Sequence, residues 1–275
     1  MSNTDANMIV EGVVCYAPEL AFGNDNYSPE FFKRMYAAEE KNFWFRSRNR
    51  LIKYIVLKYK KRNQIDFLEI GCGTGFVLSG LSSVPKIHLS GSEIFLEGLK
   101  YTKKRLPEID LFQLDATKIP FTERFDMIGA FDVLEHISDD EKVMSEVLKA
   151  LKIGGYFIIS VPQHRFLWSY LDDMAFHKRR YTRGELREKL QTSGYKVEYI
   201  TSFVFMLFPI MFVSRYLKKG KKREYTMDDN MAELELSPFL NKILTLFMRF
   251  DELLIKAGIR LPFGGSLIAV ARKVQ

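Results

Sequence analysis

Phe67-Leu68-Glu69-Ile70-Gly71-Cys72-Gly73-Thr74-Gly75 is a short apolar strand that meets a carboxylate and then breaks into Gly-x-Gly-x-Gly. Glycines at such a turn let the backbone approach a ligand where side chains would obstruct it. Taken alone, the triplet also suits an ordinary strand-to-helix turn, so the residues that follow decide the reading. A dinucleotide fingerprint needs Gly-x-Gly-x-x-Gly, and position 76 holds Phe76, with the last glycine one residue early at Gly75. A pyrophosphate-binding helix start is therefore poorly supported.

Strand and helix signals alternate from about residue 63 to 161, as in parallel βαβ units. The expected strands are Ile65 to Ile70, Ile87 to Ser92 ending at Glu93, Ile109 to Leu114 ending at Asp115, and Phe125 to Phe131 ending at Asp132. Ser138-Asp139-Asp140-Glu141 and Thr182-Arg183-Gly184-Glu185 read as capping boxes. Gly154-Gly155 opens a strand from Tyr156 to Val161, and Ser193-Gly194 ends a helix before a strand from Lys196 to Ser202. These elements predict an α/β fold, a doubly wound sheet with its ligand at the carboxyl ends of the strands.

Upstream, Ser28-Pro29-Glu30 starts one helix and Trp44 to Tyr59 forms another. Downstream, Phe203 to Phe212 is almost wholly apolar, and a polar loop runs to about Leu236. Ser237-Pro238 then begins a helix to Lys256, with Gly258 as its stop, and Ser266 to Val270 is the last strand. The expected division is 1–62 as N-terminal extension and cap helices, 63–202 as core, 203–262 as hydrophobic helical insertion, and 263–275 as final core strand.

The 275 residues suit one large domain, or a domain with a cap, and 47% apolar with 27% charged residues is ordinary for a folded protein. Cys15 and Cys72 are the two cysteines and have no metal or redox spacing, which fits a reducing, cytoplasmic setting. No signal peptide is expected at the N-terminus. The net charge of +7 concentrates in Lys218 to Arg223 and in His177-Lys178-Arg179-Arg180, without a nucleic-acid motif, so nucleic acid is not the expected partner.

Glu93 stands about 20 residues beyond the glycine turn, where a strand-end carboxylate takes both ribose hydroxyls. Asp115 is placed to accept from an adenine amine, or to cap a turn. Glu69 and Asp132 make the pocket acidic, which favours a nucleoside bearing a cationic sulfonium, S-adenosylmethionine. Leu68 to Gly75, Glu93, Asp115-Ala116, Phe131-Asp132-Val133-Leu134-Glu135-His136 and Leu151-Lys152-Ile153-Gly154-Gly155-Tyr156 together resemble the class I S-adenosylmethionine-dependent methyltransferases.

That resemblance implies a Rossmann-like sheet of seven strands, the last antiparallel and beside Lys196 to Ser202, with a helical cap. It implies a site for S-adenosylmethionine and its demethylated product on Glu69, Gly71, Cys72, Gly73, Gly75, Glu93, Asp115, Ala116, Phe131 and Asp132. Glu40 to Asn49 and Leu261 to Leu267 resemble a subgroup associated with surface-polysaccharide and glycolipid synthesis. This narrower resemblance implies that Trp44 and Arg48 close over the cofactor.

His136 and His177 are the candidate bases for a hydroxyl acceptor, and Arg180 and Tyr181 the candidate acceptor contacts. No metal is expected; Asp132, Glu135 and His136, spaced like the ligands of some quinone O-methyltransferases, are the set that would hold one. The acceptor is expected to be a small molecule, a sugar or a lipid-linked glycan. The alternatives are an amino-sugar nitrogen, an aminopropyl transferase, or an inactive membrane-associated scaffold. Phe203 to Phe212 is too short to span a bilayer, which takes about 20 apolar residues. Lid, contact with the inner membrane face and dimer interface all remain open for it.

Overall fold

The computed structural model describes residues 8–22, 27–218 and 236–275. The elements run β1 (Met8–Val10), β2 (Val13–Cys15), α1 (Pro29–Glu39), α2 (Phe43–Tyr59), β3 (Ile65–Ile70), α3 (Phe76–Leu81), β4 (Ile87–Glu93) and α4 (Leu96–Arg105). Then come β5 (Asp110–Gln113), β6 (Phe125–Phe131), α5 (Asp140–Ala150), β7 (Leu151–Pro162), α6 (Tyr170–Met174) and α7 (Arg183–Thr192). The chain finishes with β8 (Tyr195–Phe203), α8 (Phe208–Lys218), α9 (Pro238–Lys256) and β9 (Ser266–Lys273).

Among the described residues, nine strands form one sheet in the order β1-β2-β5-β4-β3-β6-β7-β9-β8. β9 lies antiparallel between β7 and β8, and the pairs among β5, β4, β3, β6 and β7 are parallel. This is the expected doubly wound sheet, enlarged at one edge. β1 and β2, which fall inside the segment expected to supply only an extension and cap helices, add two strands beyond β5. Glu11 (φ 51°) and Gly12 (φ 80°) explain their pairing, because positive φ at both central residues suits the tight hairpin turn that matches strand twist.

The sheet buries both faces. One face packs Leu51, Ile52, Ile55 and Val56 of α2; the other packs Val143, Met144 and Val147 of α5 with Leu186 and Leu190 of α7. Those residues repeat at three and four positions, so each helix offers one apolar stripe.

Local chemistry sets the helix starts. Ser28 accepts from Phe31 N (3.3 Å), and Thr182 with Glu185 makes the expected capping box. At α5 the cap falls one residue later than expected: Asp139 accepts from Lys142 N (3.0 Å). β7 also begins earlier, at Leu151, and absorbs Gly154 (φ 79°) as an irregularity within the strand.

The apolar run after residue 202 divides. Phe203 completes β8, Val204 and Leu207 are buried, and α8 starts at Phe208. Asp251 of α9 holds the turn by accepting from Phe205 N (2.6 Å) and Met206 N (3.1 Å). α9 is tied to α2 by Glu252, which accepts from Arg50 Nε (3.0 Å) and Nη2 (2.5 Å). The basic residues Lys219, Lys221, Lys222 and Arg223 lie outside the described residues.

Candidate functional site

A cavity of about 460 Å³ opens at the carboxyl ends of β3, β4, β5 and β6. Its position follows from the topology: β3 and β6 are parallel neighbours, but the chain winds outward from β3 to β4 and β5 on one side and from β6 to β7 on the other, leaving a crevice between them. Gly71, Gly73, Glu93, Asp115, Ala116, Asp132 and His136 all line it.

The glycine turn needs its glycines for different reasons. Gly71 has φ 64°, and a Cβ there would lie 2.5 Å from Val133 Cγ2. Gly73 has φ 53° and faces open space, so the bare backbone itself forms cavity wall. Gly75, Cys72 and Phe131, expected to touch the cofactor, do not line the cavity. Gly75 lets the chain pass Thr102, while Cys72 is buried beneath the turn with its Sγ 3.8 Å from Thr102 Oγ1.

Glu93 Oε2 accepts from Gly73 N (3.0 Å) and Oε1 from Ile94 N (2.8 Å). A carboxylate has about four lone-pair sites, so the same group can fix the glycine turn and still accept from a diol. Burial raises its pKa, opposed by the backbone N–H groups. Asp115 lines the cavity but accepts from Thr117 N (2.8 Å) and Thr117 Oγ1 (2.8 Å), so it holds a turn as well. Glu69 is buried below the floor, and that burial pushes its carboxyl well above the usual range.

Arg48 and Trp44 do not close over this cavity. Asp132 takes the Arg48 guanidinium in an ion pair, and the guanidinium carbon sits 4.6 Å from the Trp44 ring centroid. Arg48 thus spends its Nη1 on a protein carboxylate of the cavity wall. Asp132 itself has φ 58°, an uncommon backbone state for a non-glycine residue at a ligand site.

His136 lines the cavity with Nδ1 3.3 Å from the Tyr27 hydroxyl. Burial, then the neighbouring His177, hold its pKa down to about 4. The two imidazoles meet edge to face with centroids 4.8 Å apart. His177 Nδ1 is 2.9 Å from Asp172 Oδ1, which leaves Nε2 as its free nitrogen.

Arg180 and Tyr181 are corrections. Arg180 donates from Nε (2.6 Å) and Nη2 (3.0 Å) to the two oxygens of Asp172. Tyr181 is 1% exposed and donates to Asp140 Oδ2 (2.7 Å). The loop folds back because Lys178 N donates to Glu135 O (2.6 Å) and Tyr181 N to Pro162 O (2.9 Å). Both side chains therefore tether the loop and do not meet the cavity.

Among the described residues, Glu135, His136 and His177 bring ligand atoms within 4.8 Å of one another, an oxygen and nitrogen set able to hold a divalent ion. Asp132, expected in that set, is not part of the group, and its place is taken by His177; Asp132 pairs with Arg48. Sequence reasoning missed the aromatic wall of Tyr27, Phe31, Phe32, Phe95 and Phe176, in which Tyr27 stacks on Phe95 at 5.1 Å. Phe31-Phe32, one turn into a capped helix beside the sheet, was the signal that could have revealed it.

Residues 36–200 match the family model described as a methyltransferase domain. The chain is 29% identical over 163 residues to a protein of Mycolicibacterium smegmatis named "Probable S-adenosylmethionine-dependent methyltransferase", covering 58% of this chain and 62% of that protein. It is 36% identical over 115 residues to the mitochondrial ubiquinone biosynthesis O-methyltransferase of Candida albicans, covering 38% and 35%. The chain thus spans less than two thirds of the curated relatives it matches. Among solved structures, Haemonchus contortus phosphoethanolamine N-methyltransferase 2, in complex with S-adenosyl-L-methionine, shares the fold at TM-score 0.59 and 16% identity, over 92% of this chain and 59% of that one. With its order-specific glycine turn, strand-end carboxylates and doubly wound sheet, the chain belongs to the methyltransferase domain family.

Proposed function

We propose that this protein methylates an acceptor oxygen using S-adenosylmethionine, with His136 taking the acceptor proton. The observation that carries this reading is a neutral imidazole on the wall of the same cavity that Glu93, Asp115 and Asp132 line. When bound, the cofactor supplies a methyl carbon on a sulfonium already activated for displacement.

The chain's own tasks are then position, dryness and proton removal. Glu93 is suited to the ribose hydroxyls, and Gly73 to close backbone approach. The carboxylates of Glu93 and Asp132, the latter shared with Arg48, suit a cationic sulfonium better than an anion. Tyr27, Phe31 and Phe176 cover the cavity with rings that exclude water. If the Tyr27 hydroxyl donates to Ala175 O (3.5 Å), its oxygen can accept from His136 Nδ1–H, leaving Nε2 to take a proton. His177, fixed by Asp172, stands next in line.

The bases favour a hydroxyl acceptor. An amine acceptor needs no strong base after transfer, whereas a hydroxyl must lose its proton. Small-molecule, sugar and lipid-linked acceptors all fit this chemistry. No helix among the described residues is long and apolar enough to cross a membrane.

The test is methyl transfer from labelled cofactor into a cell extract, followed by isolation of the product. His136→Ala should lower turnover about 100-fold, within the range for a general base, while S-adenosylhomocysteine affinity by calorimetry stays within twofold. Normal turnover by both His136→Ala and His177→Ala would overturn the base assignment. Because His136 is held to about 4, the wild-type rate should stay level from pH 8 to 5 and fall below that. An acid limb near pH 6.5 would point to a different base.

A further inference from the structure

A second cavity of about 410 Å³ lies between α2, α6, α8 and α9, beside the start of β9. Its lining is mainly apolar, including Trp44, Leu171, Leu207, Met211 and Leu244, with backbone at Gly265. The volume lies in the ordinary range for small-molecule sites.

The two cavities share a partition. Trp44 faces the second cavity and stacks on Arg48, which pairs with Asp132 of the first. On the backbone, Asp132 N donates to Ser160 O (2.9 Å), and Gln163 N donates to Gly265 O (2.9 Å). Residues 160 to 163 at the end of β7 therefore run from one cavity wall to the other.

Several residues in or next to that partition carry unmatched polar atoms. Both carboxylate oxygens of Glu135, Ser160 Oγ, Gln163 Oε1 and Arg48 Nε are buried without a hydrogen-bond partner among the described residues. Glu135, Ser160 and Gln163 are each no more than 2% exposed. Buried polar groups are nearly always bonded, so unpaired atoms on residues tied to the two cavity walls, Ser160 and Arg48 through Asp132 and Gln163 through Gly265, leave polar capacity for a ligand group. An apolar chamber on one side and a methyl-donor site on the other define the rest of that ligand.

We propose that the second cavity takes a hydrocarbon chain of the acceptor, whose polar head reaches the Glu135–Ser160–Gln163 partition. The acceptor is thus an amphiphile, and the inference rests on the reading that methyl transfer occurs at the His136 cavity.

Trp44 provides a direct reporter, since Trp168 is the only other tryptophan. In a Trp168→Phe background of the full chain, 11-bromoundecanol should quench Trp44 fluorescence saturably. 3-Bromopropanol at equal concentration should not, because burial strengthens binding roughly tenfold for every two methylenes. Leu244→Arg should weaken the long alcohol at least tenfold. Met211→Phe, which fills the chamber with an apolar group, should do the same if the arginine variant folds badly. S-adenosylhomocysteine affinity should stay within twofold in both.

Unsaturable quenching, equal quenching by the short alcohol, or quenching insensitive to both variants would overturn the proposal. So would a dimer in sedimentation that Met211→Phe converts to monomer, which would make a second copy of the chain the occupant. Failure of the methyl-transfer reading is seen separately, as wild-type protein that binds no S-adenosylhomocysteine in calorimetry.

Discussion

Asp172→Ala should destabilise the protein by about 3–5 kcal/mol, the usual loss when one member of a buried ion pair is removed. Asp172 is 0% exposed. It receives Arg180 Nε and Nη2, His177 Nδ1 and the Ser169 backbone N–H (2.8 Å). Removing it leaves Arg180, itself 7% exposed, with an uncompensated charge inside the loop that carries Phe176 and Lys178 to the cavity. Urea unfolding measures the loss; a change below about 1 kcal/mol would mean that the loop opens and hydrates Arg180. The pH dependence carries a sign. Burial works to raise this carboxyl, but His177 and Arg180 bring it down to about 2. Its stabilisation is therefore fully present above the unfolded carboxyl value of about 3.9 and is lost as pH falls towards 2. The wild-type advantage over Asp172→Ala should be constant from pH 7 to 5 and shrink only below pH 4.

Why Asp172 escaped the sequence reading, while Glu93 did not, has a physical basis. Glu93 belongs to a local rule: a strand of fixed length follows a glycine turn by one helix, so spacing along the chain places the carboxylate. The strands from Ile65 to Phe131 were legible for a related reason, since each carries a carboxylate at or just beyond its carboxyl end: Glu69, Glu93, Asp115 and Asp132. Asp172 has no such rule. Its partners are close in sequence, but its burial depends on the loop returning to Glu135 and Pro162, contacts made by backbone. Arg180 and Tyr181 were misread through that same fold-back, since a charged loop beyond a strand normally faces solvent or ligand. Arg48 shows a related limit. A guanidinium near a cofactor site reads as a ligand group until a protein carboxylate is found closer. β1 and β2 were missed because three-residue strands carry almost no periodicity, leaving only Glu11-Gly12 as a turn signal. Of the second cavity, only the apolar run from Phe203 to Phe212 was legible, because Trp44, Leu171 and Leu244 join it from separate segments.

Glu93→Ala should weaken S-adenosylhomocysteine binding about 10- to 150-fold, corresponding to the roughly 1.5–3 kcal/mol of a hydrogen bond to a charged group. The alanine removes two things together: the acceptor facing the cavity and the partner of Gly73 N–H in the glycine turn. Glu93→Gln separates them poorly but usefully. An amide has one acceptor oxygen, whereas the native carboxylate offers Oε2 to Gly73 and Oε1 to Ile94. Whichever way the amide turns, its NH₂ faces a backbone N–H, so the glutamine variant should approach the alanine loss. Asp115→Ala should cost less, within about tenfold, because it loses one amine contact where Glu93 loses two hydroxyls, and it otherwise loosens the Thr117 turn. Calorimetry on the three variants ranks the contributions. If Glu93→Gln binds like wild type, one acceptor is enough and the carboxylate does not grip a diol. If Asp115→Ala is the more damaging change, recognition rests on the base end of the nucleoside and the ribose assignment at Glu93 is wrong.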